Sequence, residues 1–370
     1  MFNFVSIHRI NFLKNFSDFW PNFAISTINL FMSNFVQWII RSISLLWLTI
    51  TIAKLIIINM REIKDVRILY MGTPEMSAKV LEALISGGFN IVGVVAQEDQ
   101  PVGRKAIITE VPTKVVAKAY NIPVYQPHKI RLDYEFVKEI NPDLILTMAY
   151  GQIVPQGLLD IPKLGALNLH GSLLPKFRGA APIQRAIMEG ETETGVTLME
   201  MVYKMDAGQM FGVSKCEITP EDNYTSLCEK IVKCCEDVCF RLLPKYFNGE
   251  LKGTEQDESN VTIANKIKPE TEKLSLEYGM DQFINYVRGM SEEPGGYVLL
   301  NDLKFKILKA VPSNQTIGGE IGTLLIDKNT YLKLKDGVIE LKEVQLAGKK
   351  KMDGKSFANG SRHLNGVIVK

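Results

Sequence analysis

The sequence predicts an α/β protein: a doubly wound, largely parallel sheet followed by a small antiparallel barrel. Three observations predict it. From Val66 to about Lys252, short apolar runs alternate with amphipathic stretches at the spacing of strand–helix–strand units. After Lys252 comes a polar stretch, GTEQDESNVTIANKIKPE, and then short segments whose polar and apolar residues alternate, as in a small barrel. The chain has 370 residues, 46% hydrophobic and 23% charged, which suits a globular protein with two domains of ordinary size.

The elements follow in order. RILYMG reads as a first buried strand, and PEMSAKVLEALISGG as a helix with a glycine stop. FNIVGVVAQ is a second strand, TKVVAKAYN a helix, and IPVYQP a short strand. EFVKEINP closes a helix before the strand DLILTMAYG. GALNLHG, the helix APIQRAIMEG and the strand TGVTLMEMV complete the first half. The ends of the central strands are where such a sheet binds ligands. Beyond the polar stretch, SLEYGMDQFINYVRGM is helical. LKFKILKAV, IGTLLID, TYLKLKD and GVIELKEVQL are the barrel strands. The expected division is 1–59 as an extension, 60–252 as the catalytic domain, 253–269 as a linker and 270–370 as the C-terminal domain.

Residues 1–59 differ from the rest. They hold all three tryptophans (Trp20, Trp38, Trp47), no glycine and one acidic residue, Asp18. Without them, 39 basic residues face 40 acidic ones. The apolar stretch SISLLWLTITIA is shorter than the ~20 residues a spanning helix needs, and no signal-peptide cleavage pattern follows. Three readings are open: translated AT-rich DNA upstream of a start at Met60, a membrane-interacting segment, or an extra globular element. The expectation is the first, with the extension outside the working enzyme and no stable membrane association.

Of the five cysteines, Cys228, Cys234, Cys235 and Cys239 crowd one segment, without a C-x-x-C pair or a nearby histidine. There Leu227, Ile231, Cys235, Val238 and Leu242 recur at helical spacing, so the thiols read as small fillers of a buried helix face. An odd count without a disulfide framework points to a reducing compartment. No zinc, Walker or calcium pattern occurs. MGTPEMSA at the first strand–helix turn lacks G-x-G-x-x-G, which argues against a dinucleotide enzyme.

The densest chemical signal is NLHGSLLPKFRGAAPIQRAI. Asn168 and His170 lie two apart at the end of an apolar strand, so their side chains share a face. An amide and an imidazole converging on one point can hold an oxyanion. A lone histidine is more often structural. His170, one of four in the chain, ends a buried strand, precedes glycine and shares the face of Asn168. In YKMDAGQMF, Asp206 follows a strand in a loop that can turn back toward His170. A carboxylate there would orient the imidazole and favour its cation; taken alone, it is equally well a turn cap.

Together, NLHGSLLPKFRGAAPIQ, ETGVTLMEM and DAGQM resemble the methionyl-tRNA formyltransferases, a branch of the folate-dependent formyltransferases. The likeness runs from about Val66 to the C-terminus, through RILYMGTPEMSAKVLEAL, AYGQIVP and VQLAGKKKM. The Asn-x-His and distant Asp triplet belongs to the wider family, whereas RGAAPIQRAI is more specific. The resemblance implies a Rossmann-like N-terminal domain and an OB-like C-terminal barrel that helps hold tRNA. It implies transfer of a formyl group from 10-formyltetrahydrofolate to initiator methionyl-tRNA, releasing tetrahydrofolate, with no metal required. It also implies Asn168, His170 and Asp206 as catalytic residues and a folate site lined by Ser172, Leu173, Leu174 and Pro175. A cytoplasmic monomer is expected. Formyl transfer to an amino-sugar nucleotide or a purine precursor is the alternative, and the acceptor separates the two.

The chain departs from the family pattern at three places. The loop QEDQPVGRKAIITEVP, expected to reach the acceptor end of tRNA, keeps only Arg104 and Lys105 as basic residues. MSEEPGGYV stands where an Asn-Pro-aromatic-Pro run marks the domain junction, and residues 1–59 precede the likeness. Lys349, Lys350 and Lys351 lie near Lys333, Lys335, Lys342 and Lys355 in the most basic stretch. They are either tRNA phosphate contacts, which would make binding salt-sensitive, or a solvated strand face.

Overall fold

A computed structural model describes residues 42, 45–49 and 61–370, apart from 104 and 105. Met1–Met60 and Arg61–Lys370 form separate units, and the architecture below is that of the second. The expectations for residues 1–59 fall almost wholly outside the described residues; residues 45–49 are helical and exposed. Among the described residues no helix is long and apolar enough to cross a membrane.

The N-terminal half is built on a seven-stranded sheet. Its strands are β1 (Ile68–Gly72), β2 (Ile91–Val95), β3 (Val124–Tyr125), β4 (Leu144–Met148), β5 (Ala166–His170), β6 (Glu193–Glu200) and β7 (Met210–Glu217), in the order β7-β6-β5-β4-β1-β2-β3. Strands β1 to β5 pair in parallel, and β6 and β7 add antiparallel to the β5 edge. Helices α1 (Glu75–Ser86), α2 (Pro112–Ala119), α3 (Phe136–Ile140), α4 (Pro182–Met188) and α5 (Tyr224–Phe247) connect and cover it. The doubly wound architecture is as the alternation predicts.

Side-chain alternation along each strand makes two cores. Ile68, Tyr70, Leu144, Leu146, Leu167 and Leu169 pack with α1 and α5 on one face. Leu69, Met71, Ile145 and Ala166 pack with Val137, Ile140 and Leu158 on the other. Asn168 and His170 share the parity of Ala166, so they lie on this second face, at the C-terminal end of a central strand.

Helix α5 begins with a capping box in which Asn223 accepts from the Ser226 amide and Ser226 accepts from the Asn223 amide. Its buried stripe includes Leu227, Ile231, Cys235, Val238 and Leu242, as helical spacing predicts. All five thiols are free, and Cys234, Cys235 and Cys239 are buried.

The C-terminal half is a curled antiparallel sheet with strands β8 (Tyr297–Leu300), β9 (Leu303–Ser313), β10 (Leu324–Ile326), β11 (Thr330–Lys333) and β12 (Val338–Leu346), in the order β8-β9-β12-β11-β10. Helices α6 (Met280–Gly289) and α7 (Gly354–Gly360) bring Phe283 and Phe357 into a core with Phe305. This core also takes in Met188 at the end of α4, and Arg288 on α6 donates to the Pro220 carbonyl at 2.8 Å. The two halves therefore share packed surface.

Candidate active site

The site forms where β5 ends beside β4 and β6. Asn168 pairs with Thr147 on one side and Met199 on the other, and His170 pairs with Thr197. Asn168 is half-buried, and its amide makes no hydrogen bond among the described residues. His170 is only 5% exposed. Its Nε2 lies 2.9 Å from the carbonyl oxygen of Phe177. A carbonyl can only accept, so this nitrogen carries the proton and the tautomer is set. The opposite nitrogen, Nδ1, lies 3.7 Å from Asp206 Oδ2, within ion-pair range but beyond a hydrogen bond. The ring is thus oriented by a backbone carbonyl, and the carboxylate stands off from it.

Asp206 sits in the loop between β6 and β7 with a left-handed backbone, φ +50°. Aspartate tolerates this conformation better than most residues. Its Oδ2 accepts the Gly179 amide proton at 2.8 Å. Gly179 itself has φ +122°, and a Cβ there would stand 2.7 Å from the Ala264 carbonyl oxygen, so only glycine fits. Phe177, whose carbonyl holds His170, is also left-handed at φ +62°. It donates its amide proton to Thr262 Oγ1 at 2.8 Å.

The turn after β5 is held from within. Ser172 is fully buried, and its hydroxyl donates to the Lys176 carbonyl at 2.7 Å. Thr197 Oγ1 donates to the Ser172 carbonyl at 2.7 Å and accepts from the Leu174 amide at 3.1 Å. The Leu174–Pro175 bond is cis. Leu174 is buried, and Leu173 and Pro175 are half-buried. Ser172 therefore serves the turn, and the loop offers an apolar surface through Leu173 and Pro175. Nearby, the buried hydroxyls of Thr147 and Tyr150 have no partner among the described residues. The turn thus offers an apolar surface to a ligand, with unused hydrogen-bonding capacity buried close to Asn168.

Of the predicted site residues, Asn168, His170, Asp206 and the Ser172–Pro175 turn come together. Lys349, Lys350 and Lys351 belong to the C-terminal half, where they are exposed. Arg104 and Lys105 lie outside the described residues, between the strands Gln100–Val102 and Ile107–Thr109. Sequence reasoning missed Thr197, Phe177, Arg178, Gln256 and Thr262. Only Thr197 had a signal, since a polar residue inside TGVTLMEMV marks a buried hydroxyl. An amide free to donate, an imidazole with one committed nitrogen and a facing carboxylate can stabilise negative charge on a carbonyl oxygen and pass a proton.

A Formyl transferase family model matches residues 64–242, and the model of the formyl transferase C-terminal domain matches residues 266–362. The methionyl-tRNA formyltransferase of Listeria innocua is 43% identical over 299 residues, which are 80% of this chain and 96% of that protein. That of Lactobacillus acidophilus is 40% identical over 297 residues, 79% of this chain and 95% of that protein. Among solved structures, HypX from Aquifex aeolicus in complex with tetrahydrofolic acid superposes with a TM-score of 0.57 at 18% identity, over 79% of this chain and 46% of that one. The chain thus spans about half of HypX. WlaRD, a sugar 3N-formyl transferase solved with dTDP and 5-N-formyl-THF, gives a TM-score of 0.57 at 19% identity, over 77% of this chain and 99% of that one. Likeness at this identity shows the shared fold alone.

Proposed function

The chain belongs to the methionyl-tRNA formyltransferase family, and from that membership we propose that it transfers the formyl group of 10-formyltetrahydrofolate to the amino group of initiator methionyl-tRNA. The observation that carries the reading is the meeting of Asn168, His170 and Asp206 at one strand end, with Nδ1 and Oδ2 3.7 Å apart.

The neutral amine of methionyl-tRNA attacks the formyl carbon, forming a C–N bond and moving charge onto the formyl oxygen. The Asn168 amide donates to that oxygen. The protonated Nδ1 of His170, the ring nitrogen that Phe177 leaves free, is the second donor. Asp206 balances the imidazolium and accepts a proton from the attacking nitrogen through a water. The bond to the folate nitrogen then breaks, that nitrogen takes up the proton Asp206 received, returned through the water, and tetrahydrofolate leaves. The Ser172–Pro175 turn holds the folate.

In this reading residues 60–252 carry the chemistry, and residues 270–370 contact the tRNA with Lys349, Lys350 and Lys351. The protein acts as a cytoplasmic monomer. Mass spectrometry of methionyl-tRNA after incubation with protein and 10-formyltetrahydrofolate tests the function; an unformylated product rejects it. Formylation of an amino-sugar nucleotide instead would move the protein to that neighbouring activity. A protein truncated to begin at Met60 should formylate methionyl-tRNA at the full-length rate, since all the assigned site residues lie beyond that point.

A further inference from the structure

We propose that Gln256, in the polar segment between the two domains, is a positioning residue that fixes Asp206 for the reaction; the inference rests on the formyl-transfer reading above. The composition of residues 253–269 suggests a solvated linker, yet Gln256 is only 8% exposed. Its Nε2 donates at 2.8 Å to the carbonyl oxygens of both Asp206 and Gly208. Its Oε1 accepts from Arg178 Nε at 2.9 Å.

The three partners determine one amide orientation, because a guanidinium only donates and a carbonyl only accepts. Arg178, 4% exposed, is fixed in turn by Glu258 at 2.8 Å and by its own amide, which donates to the Thr262 carbonyl at 2.9 Å. The clamp is needed because Asp206 has a left-handed backbone in an irregular loop, with exposed Tyr203 and Met205 before it. The two bonds from Gln256 grip the peptide carbonyls on either side of Ala207, and the Gly179 amide grips the carboxylate. The same segment reaches the other half of the site. Thr262 Oγ1 accepts from the amide of Phe177, whose carbonyl holds His170. Ile263 and Ala264 pair in parallel with Arg178 and Gly179. One stretch of connecting chain therefore bears on both members of the His170–Asp206 pair.

The test uses the full chain with Gln256→Met, which keeps the shape and loses all three hydrogen bonds, and Gln256→Glu, which keeps the bond from Arg178 and cannot donate to the loop. Both should lower kcat, by up to ~10²-fold for a displacement near 1 Å, with the KM for methionyl-tRNA within about twofold of wild type because only positioning is lost. In an Asp206→Asn background the same substitutions should cost less than about twofold more, since residues acting as one unit are non-additive. The imidazole nitrogen resonances of His170, assigned by their loss in His170→Gln, should shift in both variants without any substrate present. A kcat within about twofold of wild type in both variants, or a full further loss on top of Asp206→Asn, overturns the proposal. If Gln256→Met does not fold, Gln256→Glu decides alone. If the wild-type chain does not formylate methionyl-tRNA, the functional reading falls separately. The proposal then stands or falls on whether the His170 resonances move.

Discussion

His170 Nδ1 and Asp206 Oδ2 face each other across 3.7 Å, while the far side of the ring is held by the Phe177 carbonyl at 2.9 Å. That spacing leaves the near nitrogen uncommitted in the resting protein. At this separation the two groups are not hydrogen-bonded, so in the proposed reaction Nδ1, once protonated, is free to donate to the formyl oxygen.

The two proposed oxyanion donors can be removed singly. Asn168→Ala and His170→Ala should each lower kcat for formylmethionyl-tRNA by ~10²–10³-fold, the usual effect of losing one such donor. Folate binding, measured by fluorescence or calorimetry, should survive because neither donor belongs to the turn proposed to hold it. Near-wild-type turnover in either variant would remove that residue from the chemistry.

Charge and backbone can be separated at Asp206. Asparagine can still accept the Gly179 proton, if less strongly than a carboxylate, and tolerates φ +50°, so Asp206→Asn should fold normally yet turn over far more slowly. Asp206→Ala should lose the same activity and, in addition, ~1–2 kcal/mol of stability for placing an ordinary Cβ in the left-handed region. Urea unfolding of the two variants side by side checks this; equal midpoints would mean that the loop is not strained.

Legibility followed the kind of bond involved. Asn168 and His170 could be read because period-two alternation in GALNLHG puts them on one face, and Asp206 because DAG marks a turn. The partner that orients His170 is a main-chain carbonyl, and the identity of Phe177 carries no trace of that role. Gln256 was hidden differently: a polar residue among Glu, Asp and Ser looks solvated until the fold buries it against Arg178. The edge strand β7, MFGVSKCE, also escaped notice, since its residues are only partly buried and its Ser, Lys and Cys break the apolar alternation. Central strands, covered on both faces, were read correctly for the opposite reason.

Acid sensitivity should centre on Asp222, at the start of α5 beside the C-terminal half. Burial pushes its carboxyl up, but the Lys230 ammonium, the Thr219 amide and hydroxyl, and the Ser226 hydroxyl outweigh this and hold it down to about 2. A carboxyl depressed in the folded state stabilises above its unfolded pKa of ~3.9 and loses that contribution as pH falls through the folded value. The window is therefore pH ~4 down to about 2. Against Asp222→Asn, the wild-type chain should be more stable by roughly 2 kcal/mol at pH 7 and by about half of that at pH 3. Urea titrations at the two pH values measure the difference, and a gap independent of pH would clear Asp222 of the role.

The basic cluster of the C-terminal half can be tested residue by residue, because the structure divides it. Lys349 and Lys350 are exposed in the turn after β12, and neither makes an ion pair among the described residues. Lys351 lies 3.2 Å from Glu292 and 3.5 Å from Glu343, and the hydrogen bond to Glu292, with the charges of both carboxylates, holds its ammonium above the ordinary lysine range. A phosphate must displace those carboxylates to gain Lys351, whereas Lys349 and Lys350 can meet it directly. If this turn contacts tRNA, Lys349→Ala and Lys350→Ala should each raise the KM for methionyl-tRNA and flatten its log–log salt slope by up to ~1, the signature of one lost phosphate contact. Lys351→Ala should change the slope less, because its charge is already balanced. The KM for folate should not move in any of the three. Steady-state kinetics between low and moderate salt distinguish the outcomes. An equal effect at all three positions would mean that the Glu292 and Glu343 pairs open on binding, and no effect at any would return the whole cluster to a solvated surface.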